Sequence, residues 1–160
     1  MYWKRFCVCF FCIVLFCLTA CGTSVQTGKE ISADSFMKKA KEKEMTIRDF
    51  TDESAVTKIG LTSVITAKNR NGKINLEFYE FKTDKNAKKQ YGILVDRYRK
   101  EFTDEKTDSK KTPLKNGEKT VLEDGTQTVR ITWIGKTLLT ASSDEANKKE
   151  MNQFVDSIGY

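Results

Sequence analysis

The chain has 160 residues, room for one ordinary domain and too few for two. Its 28 Lys+Arg against 22 Asp+Glu give a formal charge of +6, and with no histidine anywhere and no cysteine beyond Cys21, Ser–His–Asp triads, thiol–imidazole nucleophiles and the usual zinc sites are excluded from the chain that follows Cys21. Lysine far outnumbers arginine, whereas readers of nucleic acid rely on Arg forks, so nucleic acid is not expected as a partner.

Lys4 and Arg5 form a short positive stretch, and Phe6 to Leu18 follows as an unbroken run of Phe, Cys, Val, Ile and Leu. As a helix this run would span only ~20 Å, short of the ~30 Å hydrocarbon core that a permanent span must cross. Small residues come next, Leu18-Thr19-Ala20-Cys21-Gly22. Cys7, Cys9, Cys12, Cys17 and Cys21 all lie in this segment, so a disulfide framework is not available to the rest of the chain. The segment resembles the signal peptide and lipobox of bacterial membrane lipoproteins. That resemblance implies cleavage between Ala20 and Cys21 by signal peptidase II and a covalent diacylglycerol thioether on Cys21. It also implies anchoring on the outer, extracytoplasmic face of the cell membrane. No other cofactor is expected, and no metal.

The expected organisation is a signal peptide at 1–20, a lipidated flexible tether at 21–30 with a mean reach of ~15–18 Å, and a single α+β domain at 31–160. Loss of Lys4 and Arg5 leaves +4 on the remainder, a charge that fits anionic lipid or an anionic wall polymer and equally fits simple solubility.

Within the domain, Ser32 is placed to cap a first helix, with Ile31 and Phe36 as a hydrophobic staple and Phe36, Met37 and Ala40 as its apolar stripe. Thr46 to Phe50 reads as a short strand. Leu61 to Lys68 and Lys73 to Lys82 read as a hairpin around Asn71-Gly72. On the return strand Ile74, Leu76 and Phe78 share one face, and Glu77, Tyr79 and Phe81 are assigned to the other. Thr83-Asp84 opens a second helix, along which Ala87, Tyr91, Leu94, Val95, Tyr98 and Phe102 keep helical spacing. Thr103 to Gly117 is polar, holds Pro113 and reads as a loop. Strands are expected at Lys119 to Glu123, Gln127 to Ile134 and Thr137 to Ala141. A third helix should open at Ser142, with Glu145 at capping-box spacing, and close at Gly159.

The predicted fold is therefore α+β, with antiparallel sheet built from two βββα-like units behind an N-terminal helix, in the order α-βββ-α-βββ-α. Thr83-Asp84, Lys88-Lys89 and Val95-Asp96 recur 60 residues later as Ser143-Asp144, Lys148-Lys149 and Val155-Asp156, which suggests an ancient duplication. The layout resembles small, lysine-rich lipoproteins of Gram-positive bacteria, a likeness that brings no activity with it.

Any enzyme here would need carboxylate pairs or a Ser–Lys arrangement, and neither stands out. The expectation is a non-enzymatic binding or interaction module at the membrane, whose partner is an envelope protein or an anionic wall polymer. The alternatives are a carboxylate-dependent enzyme acting on envelope polymer and an accessory subunit of a membrane complex. If Ile74, Leu76 and Phe78 face the helices together with Val129, Ile131 and Trp133, the opposite face carries Glu77, Tyr79 and Phe81 beside Arg130 and Thr132. Those five residues are the candidate binding face. The competing reading is that Tyr79 and Phe81 lie under helix one or the Thr103–Gly117 loop as ordinary core.

Overall fold

Caps and apolar alternation set the element boundaries in a computed structural model that describes residues 27–52, 60–102 and 107–160. Helix α1 (Ala33–Glu42) starts where Ser32 Oγ accepts the Ser35 amide at 3.3 Å, and it buries Ala33, Phe36 and Ala40. Strands β1 (Thr46–Asp49), β2 (Leu61–Lys68) and β3 (Ile74–Phe81) form a meander whose second turn places Gly72 at φ +69°, a conformation that favours glycine. Thr83 caps α2 (Asp84–Glu101), its hydroxyl accepting the Asn86 amide at 3.2 Å. Strands β4 (Asp108–Leu114), β5 (Gly117–Glu123), β6 (Gln127–Ile134) and β7 (Thr137–Asp144) form a second meander. A 3₁₀ turn (Glu145–Asn147) then leads into α3 (Lys148–Ser157).

The seven strands among the described residues join one antiparallel sheet in the order β1-β2-β3-β7-β6-β5-β4. The predicted α+β class with three helices and an antiparallel sheet is therefore seen among the described residues, but the finer order there is α-βββ-α-ββββ-α. The extra strand is β4, expected as part of a polar loop. It lies at the sheet edge with its residues largely exposed, so it needs no apolar alternation, and its lysines and Pro113 are residues that keep an edge from pairing with another chain. The expected capping box at Ser142 is also not formed. Strand β7 runs on to Asp144, whose Oδ1 accepts the Asn147 amide at 3.1 Å instead.

The register decides which residues share a face. Phe78 stands opposite Leu139, and Leu139 opposite Thr132. Ile74, Leu76 and Phe78 therefore lie on the same face as Thr128, Arg130 and Thr132. Tyr79 stands opposite Leu138, and Leu138 opposite Trp133, so the other face joins Glu77 and Tyr79 to Val129, Ile131 and Trp133. The expectation that both apolar rows point the same way is overturned.

Each row has its own helical cover. On one face, α1 and α3 pack Phe36, Met151, Phe154 and Val155 onto Ile74, Leu76, Phe78 and Leu139. Phe36 stacks on Phe78 with ring centroids 5.0 Å apart. On the other face, α2 packs Ala87, Tyr91, Leu94 and Val95 onto Phe81, Leu122, Val129, Ile131 and Leu138. This arrangement also argues against a simple duplication. A two-fold axis exchanging the antiparallel neighbours β3 and β7 runs normal to the sheet and would leave α2 and α3 on one face, whereas they cover opposite faces.

Gly28 is buried, and a Cβ there would come within 2.6 Å of Ile134. The Lys29 amide donates to the Gly159 carbonyl at 3.0 Å, which ties the incoming chain to the segment after α3.

Candidate functional site

Among the described residues, the helices on the two sides leave the sheet open at diagonally opposite ends. On the α2 face the open strands are β1 and β2, and a groove of about 620 Å³ there is lined by Arg48, Thr66, Lys68, Asn75 and Glu77 among others. On the α1/α3 face the open strands are β4 and β5, and a groove of about 470 Å³ runs between them and α3.

In the first groove, Glu77 is half-buried and already engaged. The Tyr79 hydroxyl donates to its Oε2 at 2.6 Å and the Thr140 hydroxyl does so at 3.3 Å. Burial, followed by the Glu77 charge, pushes the Tyr79 phenol far above its ordinary range, so the phenol acts as a donor to a carboxylate. Tyr79 and Phe81 lie side by side with centroids 6.5 Å apart beneath α2, and Phe81 is only 2% exposed.

The second groove is built on Arg130. Its side chain lies on β6 beneath α3 and is 4% exposed. Nη1 pairs with Asp156 at 2.8 Å and donates to Asn152 Oδ1 at 3.3 Å, and Nη2 donates to the Tyr160 backbone oxygen. Among the described residues Nε has no partner, and the buried hydroxyls of Thr128, Thr132 and Ser143 on the same face have none either. Val121 stands opposite Arg130 on one side and Lys110 on the other, and Lys119 stands opposite Thr132. Lys119 is thus a diagonal neighbour of both Arg130 and Lys110, at the ~7–8 Å such neighbours keep.

Three cations therefore surround Val121. Among the described residues, neither Lys110 nor Lys119 has a carboxylate within 4.0 Å. Burial, and next the Arg130 charge, push the Lys119 ammonium below its ordinary value. The acidic end of this groove lies further along the strands, where Asp108 faces Glu123 and Glu123 is held by Lys148 at 2.7 Å. The basic end runs into a smaller cavity of about 230 Å³ that Lys119 and Asp156 share with Thr27, Gly28 and Tyr160. Thr27 and Gly28 thus lie at the basic end of the groove.

The five residues expected to form one binding face are consequently divided. Glu77, Tyr79 and Phe81 lie on the α2 face, with Phe81 in the core. Arg130 and Thr132 lie on the α1/α3 face, both buried. Lys110, Lys119, Asn152 and Asp156, which complete the surroundings of Arg130, were not among the expected residues. Lys110 fell in the supposed loop, and Asn152 and Asp156 lie on the third helix, to which no site was assigned. Cys21, the expected lipidation site, lies outside the described residues. Among the described residues no group of three or more His, Cys, Asp or Glu could hold a metal ion, and no helix is long and apolar enough to cross a membrane.

No protein-family model matches this sequence, and no curated protein matches it at a significant level. Among solved structures, the chain is similar to the crystal structure of a GTP-binding regulator from Thermotoga maritima. The TM-score is 0.45 and the identity 13%, over 84% of this chain and 90% of that one.

Proposed function

We propose that the protein is a lipid-anchored module on the extracytoplasmic face of the cell membrane that binds a ligand or partner without catalysing a reaction. The observation that carries the anchor is the order at the N-terminus: Lys4-Arg5, the apolar run Phe6 to Leu18, then Leu18-Thr19-Ala20-Cys21. A recognition role is supported by how three of the four groove carboxylates are used. Glu77 accepts from Tyr79 and Thr140, Glu123 is paired with Lys148, and Asp156 is paired with Arg130. Such groups are suited to holding side chains in place rather than to passing protons.

Metabolic labelling with an alkynyl fatty acid checks the anchor. The wild-type chain should take the label and partition into membranes, and Cys21→Ala should do neither. Equal labelling of both chains would overturn the assignment.

A further inference from the structure

We infer that the basic end of the groove on the α1/α3 face, formed by Lys110, Lys119 and Arg130 around Val121, seats the phosphodiester of an anionic lipid headgroup. Asp156 serves as the internal counterion that the headgroup displaces. Cationic side chains from three adjacent strands converge there. Arg130 is fixed by Asn152 and the Tyr160 backbone, and among the described residues its buried Nε lacks an acceptor and the buried Thr132 hydroxyl opposite Lys119 lacks a partner. Among the described residues, the side-chain carboxylate paired with Arg130 is that of Asp156, which is 62% exposed and therefore free to swing into water. A phosphodiester brings one negative charge and several acceptor oxygens, matching a site whose donors exceed its acceptors.

The lipid, rather than a soluble phosphate, follows from the path of the chain. Thr27 and Gly28 line the cavity that continues the basic end, with Lys119 common to both cavities. On the lipid-anchor reading, from which this step proceeds, Cys21 is held in the bilayer. Its distance from Gly28 is at most about 25 Å along a fully extended chain. The basic end therefore lies within reach of the headgroup layer, while the acidic end at Asp108 and Glu123 points along the strands away from it. That polarity suits a negatively charged surface.

The experiment uses the acylated chain reconstituted in phosphatidylcholine vesicles with and without phosphatidylglycerol, and read by its melting temperature. A parallel arm adds glycerophosphoglycerol, the same headgroup without acyl chains, to the protein in neutral detergent. Arg130 is left intact because it clamps α3 to the sheet and its loss would disturb folding.

Phosphatidylglycerol should raise the melting temperature of the wild type. Lys119→Gln and Lys110→Gln should each weaken the response about tenfold in lipid concentration, and Asp156→Asn should strengthen it. No response to phosphatidylglycerol, or a response unchanged in Lys119→Gln, would overturn the proposal. Stabilisation by glycerophosphoglycerol without any effect of phosphatidylglycerol would overturn the lipid assignment in favour of a soluble phosphodiester. If labelling shows that Cys21 is not acylated, the same titration on the unacylated chain still decides the groove. A Lys119-dependent response there would uphold the seat although the anchor had failed.

Discussion

Truncating Phe81 to alanine removes a ring that is 2% exposed and lies among Leu61, Tyr79 and the α2 residues of the second core. A buried Phe→Ala change combines lost transfer free energy with the cost of a cavity and amounts to about 3–5 kcal/mol. For a domain of this size each kcal/mol shifts the melting temperature by about 3–5 °C, so Phe81→Ala should melt about 10–20 °C below wild type. Tyr79→Phe is the companion. It keeps the ring but deletes the donor to Glu77, in a half-exposed site where the net cost should be about 1–2 kcal/mol. Both values come from thermal melting at neutral pH, with urea titration as a check on two-state behaviour. A Phe81→Ala change within about 0.5 kcal/mol of wild type would refute the packing of α2 over β3, because exposed positions behave that way.

Two other perturbations probe the turns. Asp124 is held at about 2, below its ordinary 3.8, chiefly by the Thr126 hydroxyl and then by the Gln127 and Thr126 amides. Its folded-state pKa is depressed, so its contribution is present above pH 3.8 and lost as the pH falls toward 2; Asp124→Ala should flatten the urea midpoint between pH 4 and 2. Gly117→Ala would bring a Cβ to 1.8 Å from the Trp133 carbonyl oxygen, and the strand shift needed to relieve that clash should cost about 1–3 kcal/mol by chemical denaturation.

Local chemistry was readable wherever one side chain does one task. Ser32 and Thr83 cap the helices at which they were expected, Gly72 and Gly125 adopt positive φ in their turns, and the α2 stripe is buried from Ala87 to Val95. What the chain could not display was a relation between distant strands. The alternation on β3 and that on β6 each reveal a buried row, but only the intervening β7 fixes whether the rows coincide. The adjacent Leu138 and Leu139, buried toward opposite faces, mark β7 as covered on both sides. The Arg130 groove stayed hidden for the same reason. Its cations come from β4, β5 and β6, and nothing in their sequence spacing brings Lys110 near Arg130.

The polar row on β6 leads to the remaining prediction. Thr128 and Thr132 are fully buried on the α1/α3 face, yet among the described residues their hydroxyls have no partner. A buried hydroxyl without a hydrogen bond costs about 1–3 kcal/mol relative to an apolar group of the same shape. Valine has nearly the shape of threonine and an equal liking for strands. Thr132→Val should therefore leave the protein as stable as wild type or raise its stability by about 1 kcal/mol, measured as a higher urea midpoint with an unchanged slope. A loss of more than about 1 kcal/mol would mean that the hydroxyl is satisfied in solution. If stability rises, the phosphatidylglycerol titration gains a second arm. Thr132 stands opposite Lys119 and diagonal to none of the groove acids. A variant that melts higher but responds to the lipid more weakly would show that this polar row is kept for binding at the expense of stability, the trade-off expected of a functional site. A variant that melts higher and binds equally well would leave Lys110, Lys119 and Arg130 as the whole of the seat.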